Sequence, residues 1–296
     1  MNEGTEAAAQ REVRLNGDKE ANGRGRPAVG KWKRVALTER DMELLACANE
    51  QKFLTFDQVA RWFPEGEPNP HCRPKSAPTA GTLRRRSRPG SWYVRERLRK
   101  LVAFDVLRRV PIFVEASAAL LPGRTGFELL EGAGLDRGLP QLDAIDWKNF
   151  GHDRALTDLR WLFEKQFGAR WQAERVLRRE LGLRNPPDAI ATMGGRTIAI
   201  ELELTRKNLE RYLAIIQRYL AWGDPRLDQI LYVLPNKADL EHMFLKVLPA
   251  AVARTDLWQV RAPDLSRFRF TTLAAIPDRR TWWTTSTPSC PQTGTL

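Results

Sequence analysis

The segment around Gly194-Gly195 constrains the fold of this chain more than any other part of the sequence. Two adjacent glycines are a strong signal for a two-residue β-hairpin turn, because glycine adopts positive φ without a Cβ clash. If they form the turn, Asp188 lies opposite Glu201, and Glu203 joins them because side chains alternate faces along a strand. Opposed carboxylates repel, so this face must either spread into water or hold a cation.

The length and the charge of the chain limit the classes of protein to which it can belong. Its 296 residues are enough for two domains, and its net charge of +12 favours a polyanionic partner such as nucleic acid. The three cysteines (Cys47, Cys72 and Cys290) are widely spaced, which is typical of a reducing compartment. No apolar run has the length of a membrane span, and the N-terminus lacks the apolar core of a signal peptide. We therefore expect a soluble, cytoplasmic protein with no membrane partner, and we expect no small-molecule substrate.

The order of patterns along the chain predicts two domains. The expected parts are a flexible arm (1–35), a first domain (36–130) with a Pro- and Arg-rich insertion (64–90), a linker (131–150), a second domain (151–283) and a flexible tail (284–296).

The first domain reads as three helices followed by a β-hairpin. Capping boxes at Thr38 and Thr55 begin two helices, and a third helix begins near Ser91. Residues 106–114 read as a strand, and residues 120–130 contain its expected return strand. This is the order of a winged helix-turn-helix domain, in which the third helix enters the major groove of DNA.

Basic residues concentrate in this region. Residues 73–109 contain twelve arginines and lysines against two acidic residues. Such a run is often only a solvated face, but here it covers both the third helix and the strand after it, which favours phosphate contacts. The candidate DNA-binding residues are Arg84, Arg85, Arg86, Arg88, Trp92, Tyr93, Arg95, Arg99, Lys100, Arg108 and Arg109.

The second domain reads as an α/β domain with a mixed sheet. The predicted order is α-β-β-β-α-β-α-β: a helix over 153–167, a strand over 171–177, the diglycine hairpin, a helix over 209–220, a strand over 228–234, a helix over 239–247 and a strand over 257–260.

The arrangement of Pro187-Asp188 and Glu201-Leu202-Glu203 within these elements resembles the PD-(D/E)xK nuclease-like fold. The resemblance implies Mg²⁺ or Mn²⁺ ligands at Asp188 and Glu201. Glu203 occupies the position of the lysine of that motif and could act as a third ligand or a base. Lys207 could supply the missing positive charge from the following helix. The alternative is an exposed polar face on an edge hairpin.

Both halves together resemble the replication-relaxation family of bacterial plasmids and integrative elements, over roughly residues 36–235. The similar segments are residues 93–110, His152-Asp153 at a helix start, Pro187-Asp188 and the acidic pair Glu201 and Glu203. The resemblance implies a winged helix fused to a nuclease-like domain, in plasmid replication or mobile-element control.

Three functions follow from these patterns. The first is a DNA-binding protein that controls transcription or replication of a mobile element, needs no cofactor for binding and carries a degenerate nuclease-like domain. Its partners would be double-stranded DNA and, because winged-helix proteins often pair on palindromic sites, a second copy of the chain. The alternative is a Mg²⁺- or Mn²⁺-dependent DNA endonuclease or nickase. The third is a structural protein that binds another protein partner.

Overall fold

The computed structural model describes residues 14–16, 34–62, 91–112, 118–182, 185–222, 227–254, 262–279 and 282. The chain divides into two compact units, Met1–Trp147 and Lys148–Leu296. Both units combine helices with sheets: the first has antiparallel sheets and the second has one mixed sheet.

The first unit contains four helices and five short strands among its described residues. The helices are α1 (Glu39–Glu50), α2 (Phe56–Trp62), α3 (Ser91–Ala103) and α4 (Arg124–Gly132). The strands are β1 (Arg14–Asn16), β2 (Arg34–Ala36), β3 (Leu54–Thr55), β4 (Leu107–Pro111) and β5 (Ala118–Pro122). In chain order, the three helices α1, α2 and α3 precede the antiparallel pair β4 and β5.

The two predicted capping boxes are confirmed. The side chain of Thr38 accepts from the amide of Asp41, and the Asp41 carboxylate accepts from the amide of Thr38. At the start of α2, the Thr55 amide donates to the Gln58 side chain at 2.9 Å, and the Gln58 amide donates to the Thr55 hydroxyl. These reciprocal bonds satisfy amides that have no partner inside a helix, so both helices begin where the sequence predicts.

The predicted return strand over 120–130 is wrong in its extent. The strand β5 pairs with both β4 and β3 in a three-stranded antiparallel sheet, but it ends at Pro122, and α4 follows. The helix α4 packs closely on Val106, which directly precedes β4. Only glycine fits at position 126, since a Cβ there would lie 2.0 Å from the carbonyl oxygen of Val106. Leu130 is fully buried on the inner face of α4, which stabilises a helix where the sequence suggested a strand.

Part of the predicted arm over 1–35 carries regular structure. The strand β1 pairs antiparallel with β2, with Leu15 opposite Val35. Residues 1–13 and 17–33 lie outside the described residues, and so does the predicted insertion at 64–90.

The second unit contains five α-helices and five strands among its described residues. The helices are α5 (Phe150–Trp161), α6 (Glu174–Leu181), α7 (Leu209–Trp222), α8 (Lys237–His242) and α9 (Leu248–Val252). The strands are β6 (Arg170–Ala173), β7 (Ala189–Met193), β8 (Arg196–Leu202), β9 (Gln229–Leu234) and β10 (Phe268–Thr272). Single π-helical turns extend α5 over Leu162–Gln166 and join α8 to α9 over Met243–Val247.

The five strands form one mixed sheet in the order β10-β9-β8-β7-β6. The pairs β6–β7 and β7–β8 are antiparallel, whereas the pairs β8–β9 and β9–β10 are parallel. The predicted strand over 171–177 is wrong beyond Ala173, because α6 begins at Glu174. The strand β10 is absent from the predicted order, and the predicted strand over 257–260 lies outside the described residues.

The diglycine hairpin has the predicted register. Gly194 and Gly195 have φ of 54° and 73°, and Met193 pairs with Arg196. The same register continues to Ala189 opposite Ile200, so the next opposed positions are Asp188 and Glu201. Alternate side chains of β8 therefore point to opposite faces of the sheet, as the alternation of its sequence predicts.

Two hydrophobic clusters lie on the two faces of this sheet. Ile198, Ile200 and Leu202 belong to a cluster that includes Phe163 and Trp282. The opposite cluster includes residues of β7, β8, α7 and β9: Ile190, Ala199, Tyr212, Ile216 and Tyr232. In the part of the chain that the structure describes, no helix is both long and apolar enough to cross a membrane.

Trp282 anchors the end of the second unit. Its side chain is 1% exposed, its indole N–H donates to the Ile276 carbonyl at 2.9 Å, and its ring contacts Phe163 and Phe167. Its neighbour Trp283 lies outside the described residues.

We expect Trp282→Ala to lower the free energy of unfolding of the second unit by about 3–5 kcal/mol, because it removes a buried aromatic side chain and leaves a cavity. Urea denaturation measures the change. Leu245→Ala is the control, because Leu245 is exposed and its truncation should change stability by less than about 0.5 kcal/mol. Equal effects of the two substitutions would show that Trp282 does not anchor the core.

Candidate functional site

The helix α3 is fixed to the first unit by one face. Leu98 and Leu101 are buried, and the guanidinium of Arg97 bonds the Asp41 carboxylate and donates to the Ala36 carbonyl at 2.8 Å. Asp41 is itself buried and also caps α1. Arg97 is therefore a structural cation that ties α3 to α1 and β2.

The other face of α3 presents aromatic and cationic side chains to solvent. Tyr93 is 59% exposed, and Arg95 and Arg99 are exposed. Arg99 makes an ion pair with Glu96 on the same helix at 3.4 Å, which at such an exposed position contributes little stability. Lys100 is partly exposed. This combination of cations and an aromatic ring suits contacts with a nucleic-acid backbone and its bases.

The two arginines predicted on the hairpin strand differ in their surroundings. Arg109 is exposed on β4. Arg108 is partly buried, and its guanidinium donates to the Leu142 carbonyl at 2.8 Å beside a cavity of about 460 Å³. The cavity lining contains four acidic residues: Asp105, Glu128, Glu131 and Asp143. Arg109 is thus available to a partner, whereas Arg108 is held against the protein.

The remaining predicted DNA-binding residues fall wholly or partly outside the described residues. Arg84, Arg85, Arg86 and Arg88 lie in the segment 63–90. Trp92 belongs to α3, but its side chain is not among those described.

In the second unit, Asp188 and Glu201 lie opposite each other at the open end of the hairpin. Other residues of the chain form hydrogen bonds to each of the two carboxylates. Oδ2 of Asp188 accepts the Leu202 amide at 2.8 Å and lies 3.2 Å from Nε2 of His152. The hydrogen bond from Leu202 crosses the hairpin, so it orients the Asp188 carboxylate and closes the end of the β7–β8 ladder. Among the described residues, no donor bonds the other oxygen of Asp188.

His152 is a site residue that the sequence analysis did not select, although His152-Asp153 stands out at a helix start. Its Nε2 lies within hydrogen-bond distance of two acceptors, Asp188 Oδ2 and the Leu202 carbonyl at 3.1 Å, so Nε2 must carry the proton. Nδ1 lies 3.7 Å from the Asp153 carboxylate. Burial by itself lowers the pKa of His152, but the carboxylates of Asp153 and Asp188 outweigh it and raise the pKa to about 10.

Glu201 is held by two side chains of α7 that sequence reasoning also missed. The Tyr219 hydroxyl donates to Oε1 of Glu201, and Arg218 donates to the same oxygen at 3.1 Å. The pKa of Glu201 is raised to about 7, mainly by burial and next by the charge of Asp188, while Tyr219, Arg218 and Lys207 act in the opposite direction. The nearby Tyr232 hydroxyl is buried and has no hydrogen-bond partner in the described structure.

Glu203 and Lys207 form an ion pair. Glu203 is 6% exposed, and its amide donates to the Val233 carbonyl at 2.9 Å, which ties the end of β8 to β9. Burial lowers the pKa of Lys207, while the charges of Glu201 and Asp188 act to raise it. Lys207 therefore lies close to all three predicted acidic residues.

Each of the three carboxylates of this cluster has a cation beside it: His152 at Asp188, Arg218 at Glu201 and Lys207 at Glu203. Asp188 and Glu201 each keep one oxygen that accepts no hydrogen bond from the described residues, and two such hard oxygens suit Mg²⁺ or Mn²⁺. A group of three or more His, Cys, Asp or Glu side chains placed to hold a metal ion does not occur in the described parts of the chain. The donor set is thus two carboxylates, with Glu203 neutralised by Lys207.

Comparison of this chain with protein-family models, with curated proteins and with solved structures finds no match.

We expect the second unit to lose stability as the pH rises from about 5 to about 7. The pKa of Glu201 in the folded protein is above its ordinary value of 4.5, so the folded state binds this proton more tightly than the unfolded state. The stabilising contribution is complete below pH 4.5 and is lost as the pH rises through about 7. Glu201→Gln should flatten this slope in urea denaturation at several pH values.

Glu210→Gln is the matched control, because Glu210 is exposed on the same helix as Arg218 and its pKa is lowered rather than raised. A slope between about pH 5 and 6 that persists in Glu201→Gln would contradict the assignment of this proton to Glu201. The raised pKa of His152 adds a slope of its own only above about pH 6.

Proposed function

We propose that this chain is a double-stranded-DNA-binding protein of a plasmid or mobile element that acts in transcriptional or replication control. Its first unit would be a winged helix that contacts duplex DNA through α3 and β4. Its second unit would have a PD-(D/E)xK-like fold in which the carboxylate cluster is largely satisfied by the chain's own cations.

The exposed face of α3 carries this proposal. Tyr93, Arg95 and Arg99 project from a helix whose opposite face is buried, and Arg109 is exposed on β4. A helix fixed on one side and cationic on the other can lie in the major groove, while cations on the adjoining hairpin contact phosphates.

The order of elements supports the two fold assignments. In the first unit, α1, α2 and α3 precede the β4–β5 pair, which is the order of a winged helix-turn-helix domain. In the second unit, α5 and three antiparallel strands are followed by α7 and the parallel strand β9, with one additional helix, α6, after β6. This order supports the resemblance to the PD-(D/E)xK fold, and the combination of both units supports membership of the replication-relaxation family.

Binding to duplex DNA should weaken in Arg99→Ala and stay unchanged in Arg124→Ala. Both arginines are exposed in the first unit and pair with a glutamate of their own helix, Glu96 at 3.4 Å and Glu128 at 3.0 Å, but only Arg99 lies on α3. Loss of one phosphate contact should reduce the slope of log K against log salt concentration by about one. Gel shifts at several salt concentrations measure the slope.

A purely structural role for the first unit would give a different result. In that case the wild-type chain would form no complex with duplex DNA at low salt, or both substitutions would weaken binding equally.

A second candidate function is metal-dependent cleavage of DNA, and the position of Lys207 favours it. Its ammonium pairs with Glu203 and lies near Asp188 and Glu201, so a positive charge is present where the motif on β8 lacks one. Asp188 and Glu201 would hold Mg²⁺ or Mn²⁺ through their remaining oxygens. A bound metal of this kind supplies charge stabilisation at a phosphate and lowers the pKa of its water.

The residues around these carboxylates would orient them for that task. The Leu202 amide and His152 fix Asp188, and Tyr219 with Arg218 fixes Glu201, so neither carboxylate can rotate freely. Lys207 would steady a negatively charged oxygen beside the cluster.

Supercoiled DNA incubated with the protein and Mn²⁺ or Mg²⁺ separates the two candidates. Nicking that Asp188→Asn and Glu201→Gln each reduce by at least about 100-fold would establish a nuclease, because either change removes a ligand charge. Glu210→Gln should nick like the wild type, since Glu210 pairs with Arg254 at an exposed position away from the cluster. DNA that stays intact at high protein concentration would leave DNA binding as the function.

A further inference from the structure

The basic residues of α3 differ in how their guanidinium groups are held. Arg97 is bonded to Asp41 and to the Ala36 carbonyl, and Arg99 pairs with Glu96. Arg95 is held in a third way: its Cζ lies over the ring of Phe56, 4.3 Å from the ring centroid. Within the described residues, no carboxylate or carbonyl bonds the guanidinium of Arg95, and the residue is exposed.

Stacking on an aromatic ring orders an arginine without using its hydrogen-bond donors. The face of the guanidinium contacts the ring, and the N–H groups at its edge remain free to bind a ligand. An unrestrained arginine loses side-chain entropy when it is fixed, so prior ordering by Phe56 removes part of that cost from binding.

We propose that Arg95 reads a guanine in the major groove, that Phe56 is its positioning residue, and that Arg99 and Arg109 contact phosphates. This inference rests on the proposed duplex-DNA binding and adds to it the base that the protein selects. A guanidinium with a free edge donates two hydrogen bonds to O6 and N7 of guanine, a pattern that only a G·C pair presents in the major groove.

The position of Arg95 favours base contact over phosphate contact. It is the fifth residue of α3, and the N-terminal residues of a recognition helix are the ones that contact base edges. Arg99 lies one turn later, and because one of its N–H groups already pairs with Glu96, it does not present a free edge for two hydrogen bonds to one base. Phe56 is the first residue of α2, so the stack also links the two helices that would approach the duplex.

The test is selection of binding sites by the full-length chain from a library of randomised duplexes. Dissociation constants are then measured on the selected duplex and on versions with each guanine replaced by adenine. For the wild type we expect one guanine whose replacement weakens binding by about 5- to 150-fold, the range of one bidentate arginine–guanine contact. Arg95→Ala should abolish the discrimination at that position, while Arg99→Ala should weaken binding to both duplexes equally.

Phe56 is tested by substitutions that keep its volume. Phe56→Leu keeps an apolar side chain but removes the aromatic face, so we expect severalfold weaker discrimination at the same guanine with an unchanged melting temperature. Phe56→Tyr keeps the ring and should restore discrimination. A merely structural role for Phe56 would change the melting temperature and leave the guanine-to-adenine ratio unaltered, which would overturn the positioning role.

The outcomes separate this inference from the function on which it rests. Duplex binding by the wild type without any base preference, or a preference that survives in Arg95→Ala, overturns the base-reading role and leaves DNA binding intact. Absence of any complex with duplex DNA overturns both.

Discussion

The hydrogen bond from the Leu202 amide to the Asp188 carboxylate depends on the register of one hairpin, and the organisation of the second unit depends on that register. Positive φ at both turn glycines sets the pairing of β7 with β8, and Asp188 then comes opposite Glu201. A shift by one residue would exchange the two faces of β8 and bury Glu201 in the cluster that contains Trp282. Core packing and carboxylate placement are therefore consequences of the same constraint.

The carboxylates are tolerated because cations and hydroxyl groups surround them. His152, Lys207 and Arg218 approach from α5, from the segment after β8 and from α7, so each carboxylate has a positive neighbour on a different element. A buried carboxylate without such a partner would be strongly destabilising. The arginines of the first unit also differ in their partners. Arg97 and Arg108 bond acceptors of the protein itself, whereas Arg95, Arg99 and Arg109 remain exposed.

Sequence patterns predict some of these features but not others. The hairpin register and both helix caps follow from local rules about glycine φ and side-chain capping, so they could be predicted. The contacts of Tyr219 and Arg218 with Glu201 could not, because helical periodicity shows which face a residue occupies and not which atom its polar group reaches. For the same reason a run of arginines does not reveal that Arg108 bonds Leu142. The helix α6 replaces the part of the predicted strand beyond Ala173, since a run of seven residues is too short for its pattern to separate a strand from the start of a helix.

A disulfide measurement tests the hairpin register most directly. With Cys47, Cys72 and Cys290 replaced by serine, the pair Asp188→Cys and Glu201→Cys should oxidise readily, because opposed residues of an antiparallel pair lie about 4.5–5.5 Å apart. The pair Asp188→Cys and Leu202→Cys should stay reduced, because Leu202 points to the other face of the sheet. Faster oxidation of the second pair would contradict the register and, with it, the shared site of Asp188 and Glu201.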